Sequence, residues 1–156
     1  MLRALVALVF VFAANTGAWL GGHLLPTHWR VPLDRGAVLA DRRRLLGDHK
    51  TWGGLIAGAA ACGTAAVLMQ RSFLLGASFG ALSLLGDCAS SSIKRRLALR
   101  AGAEVAVLDQ LPEALVPLLV LARPLGLSWL EAIAVGAVFS LLDLALTEVR
   151  HLRFLR

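Results

Sequence analysis

Tyrosine is absent from this 156-residue chain, and Lys, Arg, Asp and Glu together make up only 17% of it. A soluble domain of ordinary composition carries about 25% charged residues. The low charge, with 58% hydrophobic residues and a mean hydropathy of +0.72, points to lipid as the solvent. Cysteine is nearly absent too: Cys62 and Cys88 form no CxxC, and His23, His28, His49 and His151 stand at no ligand spacing, which removes support for a disulfide framework or a zinc site. Both cysteines read as packing residues, with Cys88 beside Asp87 placed to line a site. Aromatics are only 6% and never interleave with a basic module, so the pI near 11.0 describes membrane orientation and acidic headgroups rather than a nucleic-acid partner. No Walker spacing and no DG-x-x-AR cluster occurs, which argues against a P-loop and against a CDP-alcohol phosphatidyltransferase. No long internal repeat is present.

What the chain does have is apolar runs. Leu5 to Leu25, Trp52 to Met69, Ser72 to Leu85, Leu115 to Leu121 and Ser128 to Leu146 predict an all-α integral membrane protein of about five transmembrane helices, a single domain over residues 1–156. The third and fourth runs are short and must borrow Gly86 to Ser92 and Pro112 to Ala114. The first resembles a signal peptide at its start, but its apolar core is longer than the ~7–15 residues of such a segment and predicts a retained helix. Gly54 and Gly58, then Gly76 and Gly80, stand at small-xxx-small spacing, which lets helix backbones approach closely in lipid. Thirteen of the sixteen Lys and Arg residues fall in the first long connection, the second one and the tail, leaving only Arg3, Arg71 and Arg123 for the other side. The positive-inside rule then predicts two cytoplasmic loops and a cytoplasmic C-terminus, with "QRS" and "ARPLGLS" as tight outer turns.

Three polar stretches break this apolar background. In "GDCASSSIKRR", Asp87, Ser90 or Ser91, and Lys94 share one helical stripe at 100° per residue. Lys94, Arg95 and Arg96 alone would be an ordinary stop-transfer cluster, but an ionisable Asp87 at membrane depth is costly and marks a functional candidate. "LGDHKTWGGL" places Lys50 and Thr51 at a helix start, where backbone amides and a lysine suit an anion, with His49 beside them. "VLDQLPE" puts Asp109 and Gln110 just ahead of the fourth helix, Asp109 as a possible N-cap and Pro112 in the first turn. Asp143, in the last apolar run, reads as pairing with Thr147 and Arg150 on one face. Converging on one membrane face, the three stretches describe a site where a divalent cation such as Mg²⁺ bridges carboxylates and a polyphosphate while Lys and Arg hold the remaining oxygens.

"GDHKTWGGLIAG", "GDCASSSIKRRLALRAG" and "VLDQL", in this order, resemble the CDP-archaeol synthase family, relatives of the CDP-diacylglycerol synthases, over roughly residues 43 to 120. The resemblance implies a multi-pass cell-membrane cytidylyltransferase with its site at the cytoplasmic face. It implies Mg²⁺ as cofactor, and CTP and a lipid whose glycerol bears a terminal phosphate as substrates. Asp87, Lys94 and Asp109 would be catalytic, with Asp87, Asp109 and Glu113 at the metal. Lys50, Thr51, Ser90, Ser91, Arg95, Arg96 and Gln110 would bind substrate. The chain departs from the family pattern at Gly53, where KTWRG has Arg; at Pro112, where DQLD has its second acid, followed here by Glu113; and in the tail "EVRHLRFLR". A degenerate relative acting as a scaffold, or a small transporter, is the competing expectation, separated from the enzyme by nucleotide dependence.

Overall fold

The computed structural model describes residues 1–99 and 105–154, and among these the fold is helical. Six helices follow in order: α1 (Leu2–Leu24), α2 (Trp52–Leu68), α3 (Phe73–Arg96), α4 (Ala106–Val120), α5 (Ala122–Leu125) and α6 (Trp129–Phe154). Among the described residues, α1, α3 and the Trp129–Leu146 part of α6 are long and apolar enough to cross a membrane, and α2 is a shorter apolar helix of 17 residues. The five expected helices are present, and the third does continue through Gly86 to Ser92, ending at Arg96. The fourth differs. It begins at Ala106, so Asp109 and Gln110 lie inside it rather than ahead of it, and the N-cap is Val105. Asp109 reaches back to accept the Val105 N–H at 3.1 Å, a first-turn acid satisfying an otherwise orphaned donor.

Pro112 is therefore interior to α4, as is Pro117. Each removes one backbone donor from the helix ladder. The turn "ARPLGLS" is also half helical: α5 occupies Ala122–Leu125 and ends at Gly126, whose φ of 71° is left-handed.

Glycine brings the helices together. A Cβ at Gly76 would lie 2.4 Å from Cys62 O, and one at Gly58 would lie 2.8 Å from Ala14 O, so α1, α2 and α3 meet backbone to backbone. In lipid such close approach supplies the dispersion contacts that drive association, because lipid tails are as apolar as the helix faces. Phe10 and Phe79 fill the centre edge to face at 5.5 Å, and Phe12 meets Phe139 at 5.2 Å. Exposed Leu74, Leu130, Ile133 and Leu141 face outward, the surface that hydrocarbon covers.

Residues 25–51 form an ordered cap over one end of the bundle, organised around a buried Asp34. Its Oδ1 accepts from Gly36 N and from Arg44 Nη2 at 2.7 Å, and its Oδ2 accepts from Leu46 N and Gly47 N. Burial alone would raise this carboxyl's pKa, but the Arg44 guanidinium and three backbone amides hold it well below the usual range. The cap is fastened to α3 by the two arginines that end that helix. Arg95 Nε donates to Leu46 O at 3.1 Å, while Arg96 pairs with Asp41 at 2.8 Å and donates to Arg44 O at 2.6 Å.

Candidate functional site

The cap delivers Lys50 to α3, where it forms an ion pair with Asp87. Asp87 sits there because α3 and α4 cross in backbone contact one residue earlier. A Cβ at Gly86 would lie 2.2 Å from Pro112 O and 3.0 Å from Glu113 Cα, so only glycine fits. Two turns along α3, the buried Lys94 pairs with Asp109 of α4 at 2.6 Å. The three polar stretches are thus linked by two lysine–carboxylate pairs, one joining cap to α3 and the other joining α3 to α4.

Between the cap and helices α1, α2 and α3 lies a cavity of about 560 Å³. Lys50, Thr51, Asp87, His49 and Arg30 line its polar part; Ala18, Trp19, Leu55 and Leu84 line its apolar part. Cys88 lines it as well, as its position beside Asp87 suggested. The lining thus combines cationic and hydroxyl groups of the kind that hold phosphates with apolar surface of the kind that receives a lipid chain.

The other expected residues divide by what they touch. Thr51 is the N-cap of α2, its Oγ1 accepting from Gly54 N at 3.1 Å, and Trp52 N donates to Val31 O, so two amides at this helix start already have partners. Ser90 donates back to Asp87 O within its own helix at 2.9 Å, and Ser91 is buried. Arg95 and Arg96, expected on substrate phosphates, engage the cap in this structure, because consecutive helical residues point about 100° apart and Lys94 is the one that faces Asp109. Gln110 donates its side-chain amide to Asp143 at 2.9 Å. Asp143 therefore has a partner in α4. Its expected partners Thr147 and Arg150 have side chains outside the described residues, as does Arg100. Glu113 is buried, and its Oε1 has no hydrogen-bond partner among the described residues.

Sequence reasoning passed over three residues. Asp34 could have been found in "LDRG", since an Asp two residues before Gly is an Asx-turn signal. Arg30 and Asn15 of the cavity wall carry no local signal. The Gly53 departure has a packing reason: a Cβ there would lie 2.7 Å from Trp29 O, so the Thr27–Trp29 turn occupies the space a side chain would need.

Among the described residues no three His, Cys, Asp or Glu side chains gather as a ready-made metal cluster. The donor set fits Mg²⁺ in the sparse manner of that ion, one or two carboxylates completed by substrate phosphates, and the partnerless Glu113 Oε1 is a further hard oxygen at the α3–α4 crossing.

A family model described as CarS-like, CDP-archaeol synthase, matches residues 1–76 and 68–151. The chain belongs to the CDP-archaeol synthase family. The CDP-archaeol synthase of Aeropyrum pernix is 38% identical over 152 residues, covering 94% of this chain and 83% of that protein. The CDP-archaeol synthase of Thermofilum pendens is 32% identical over 114 residues, covering 70% of this chain and 56% of its own length. A solved structure, described as an intramembrane enzyme for archaeal membrane lipids biosynthesis, superposes with a TM-score of 0.76 at 34% identity, covering 92% of each chain. The helical membrane architecture is therefore the architecture of a CDP-archaeol synthase family member. The residues matched by the family model include Lys50 of the cap and Asp87, Lys94 and Asp109 of α3 and α4.

Proposed function

We propose that this protein transfers a cytidylyl group from CTP to a glycerol-phosphate lipid, giving a CDP-activated lipid of the CDP-archaeol type and pyrophosphate. The observation that carries this is the cross-pairing of Lys50 with Asp87 and Lys94 with Asp109. These pairs are self-neutralising until a magnesium nucleotide arrives, whose cation and phosphates can replace each partner with a charge of the same sign. Asp87 and Asp109, with Glu113 adjoining, would hold Mg²⁺, which when bound supplies charge neutralisation on the leaving pyrophosphate. Lys50 and Lys94 hold phosphate oxygens. The lipid phosphate oxygen attacks the α-phosphorus of CTP in line, the new P–O bond forms as the α–β bridging bond breaks, and no protein nucleophile is needed. Arg95 and Arg96 act by keeping the cap, and with it Lys50, against α3.

The orientation reading belongs with this. Thirteen of sixteen cations on the cap, the second loop and the tail support a cytoplasmic site in the cell membrane, where CTP is available.

Purified protein incubated with labelled CTP, Mg²⁺ and candidate lipid phosphates should form labelled CDP-lipid and pyrophosphate. Asp87→Asn and Asp109→Asn should each abolish product while the protein remains folded in the membrane. In a Cys62→Ala background, CTP with Mg²⁺ should slow thiol modification of Cys88. Folded wild type that neither turns over CTP nor shows this protection refutes the reading and leaves the scaffold or transporter alternative.

A further inference from the structure

The charges lining the cavity are internally matched except for one. Asp87 pairs with Lys50, and Asp48 pairs with Arg44 at 2.5 Å, whereas Arg30 has no carboxylate partner among the described residues. Its guanidinium is nevertheless held. Nε donates to Leu25 O at 3.1 Å and Nη2 to His23 O at 2.5 Å, both at the end of α1, while Nη1 has no hydrogen bond among the described residues.

The backbone beneath is fixed as well. Arg30 N donates to Thr27 O at 3.0 Å, closing the short turn whose Trp29 carbonyl rests on Gly53. A cation near a helix C-terminus is favourable in itself, and that accounts for the two carbonyl contacts. It does not account for a guanidinium on the wall of the cavity that also receives Lys50 and Asp87.

We propose that Arg30 is a substrate-binding residue whose guanidinium takes a phosphate oxygen in this cavity, from either the nucleotide or the lipid. The proposal rests on the cytidylyltransferase reading above. An arginine already docked through two of its nitrogens loses little further rotamer freedom on binding, and its fork geometry suits phosphate better than a lysine would. Arg30 is held at the end of α1 and Asp87 is carried by α3, and both line this cavity.

Arg30→Gln and Arg30→Lys, purified beside wild type, test this through separate KM values for CTP and for the lipid phosphate. Arg30→Gln should raise one KM about tenfold or more, as expected for loss of a charge-assisted phosphate contact, with a smaller change in kcat. Arg30→Lys should give an intermediate rise for the same substrate. A rise confined to CTP assigns the triphosphate; a rise confined to the lipid assigns its headgroup. Both KM values within about twofold of wild type, even with a lowered melting temperature, would mean that Arg30 only caps α1, and the proposal falls. If Arg30→Gln does not accumulate, Arg30→Lys with unmoved constants overturns it equally. Wild type without CTP-dependent product refutes the proposed reaction itself, whereas an active wild type matched by its variants refutes only the role of Arg30.

Discussion

Replacing Asp34 by Asn tests whether the cap is a cooperative unit held by one carboxylate. Asp34 accepts four hydrogen bonds, two on each oxygen, and the amide that replaces one oxygen cannot accept either of its pair. If the amide nitrogen faces Leu46 and Gly47, those two backbone N–H groups lose their acceptor; if it faces Gly36 and Arg44, those two donors do, and in either case the ion pair with Arg44 is lost with the charge. Either arrangement removes two bonds worth about 1 to 2 kcal/mol each in this charge-assisted setting, so the cap should lose about 2 to 4 kcal/mol of local stability. At about 1.4 kcal/mol per decade, that is on the order of 30- to 700-fold less protection of the Leu46 and Gly47 amides in hydrogen exchange. Turnover should fall in step, because the cap carries Lys50 to Asp87, while the helical amides stay protected. The sign of the pH dependence follows from the same contacts. A carboxyl held below its ordinary value of 3.8 contributes stability that is fully present above that value and is lost as pH falls through the lower, folded-state value. Cap protection should therefore be flat across neutral pH and decline only below about pH 4. Unchanged Leu46 and Gly47 exchange in Asp34→Asn would show that Asp34 does not organise the cap.

Gly86→Ala should separate α3 from α4, because its Cβ would meet the Pro112 carbonyl at 2.2 Å; turnover should collapse and thermal stability drop by several degrees, and a variant of wild-type melting temperature would contradict the crossing. Ala98 follows α3 with a φ of 60° in a complete Schellman motif, Leu99 N bonding Lys94 O and Ala98 N bonding Arg95 O. Ala98→Gly should accordingly stabilise the protein by about 1 kcal/mol, read as a higher melting temperature at unchanged KM. Glu113→Gln should raise the Mg²⁺ needed for half-maximal rate if its partnerless oxygen serves the metal, and an unchanged Mg²⁺ titration would remove it from the site.

Helix count, the membrane class and the convergence of three motifs were legible because each depends on local pattern. Asp87 stood out as an acid in an apolar run, and the 100° stripe placed it with Lys94 correctly along α3. Partnerships were less legible. Lys94, Arg95 and Arg96 are adjacent in sequence, but one side chain turns to Asp109 and two turn to the cap, a division set by cap residues some 50 positions earlier. The start of α4 was misplaced because "VLDQLP" carries Pro112, which reads as a first-turn residue although α4 tolerates it in its interior. Asp143 pairs with Gln110, 33 residues away, and no periodicity within α6 encodes that contact.

The contact of Gly86 with Pro112 also has a mechanical meaning. Two helices that touch backbone to backbone cannot slide past that point without a clash, so the crossing is a fulcrum. Side chains close to a fulcrum move least when one helix rocks against the other, and Asp87 and Glu113 adjoin it on either helix. Lys94 lies eight residues further along α3, a lever arm of about 12 Å at 1.5 Å per residue, so a tilt of about 10° carries it roughly 2 Å. The second lysine–carboxylate pair can thus open and close by a small tilt while the carboxylates at the crossing keep their spacing.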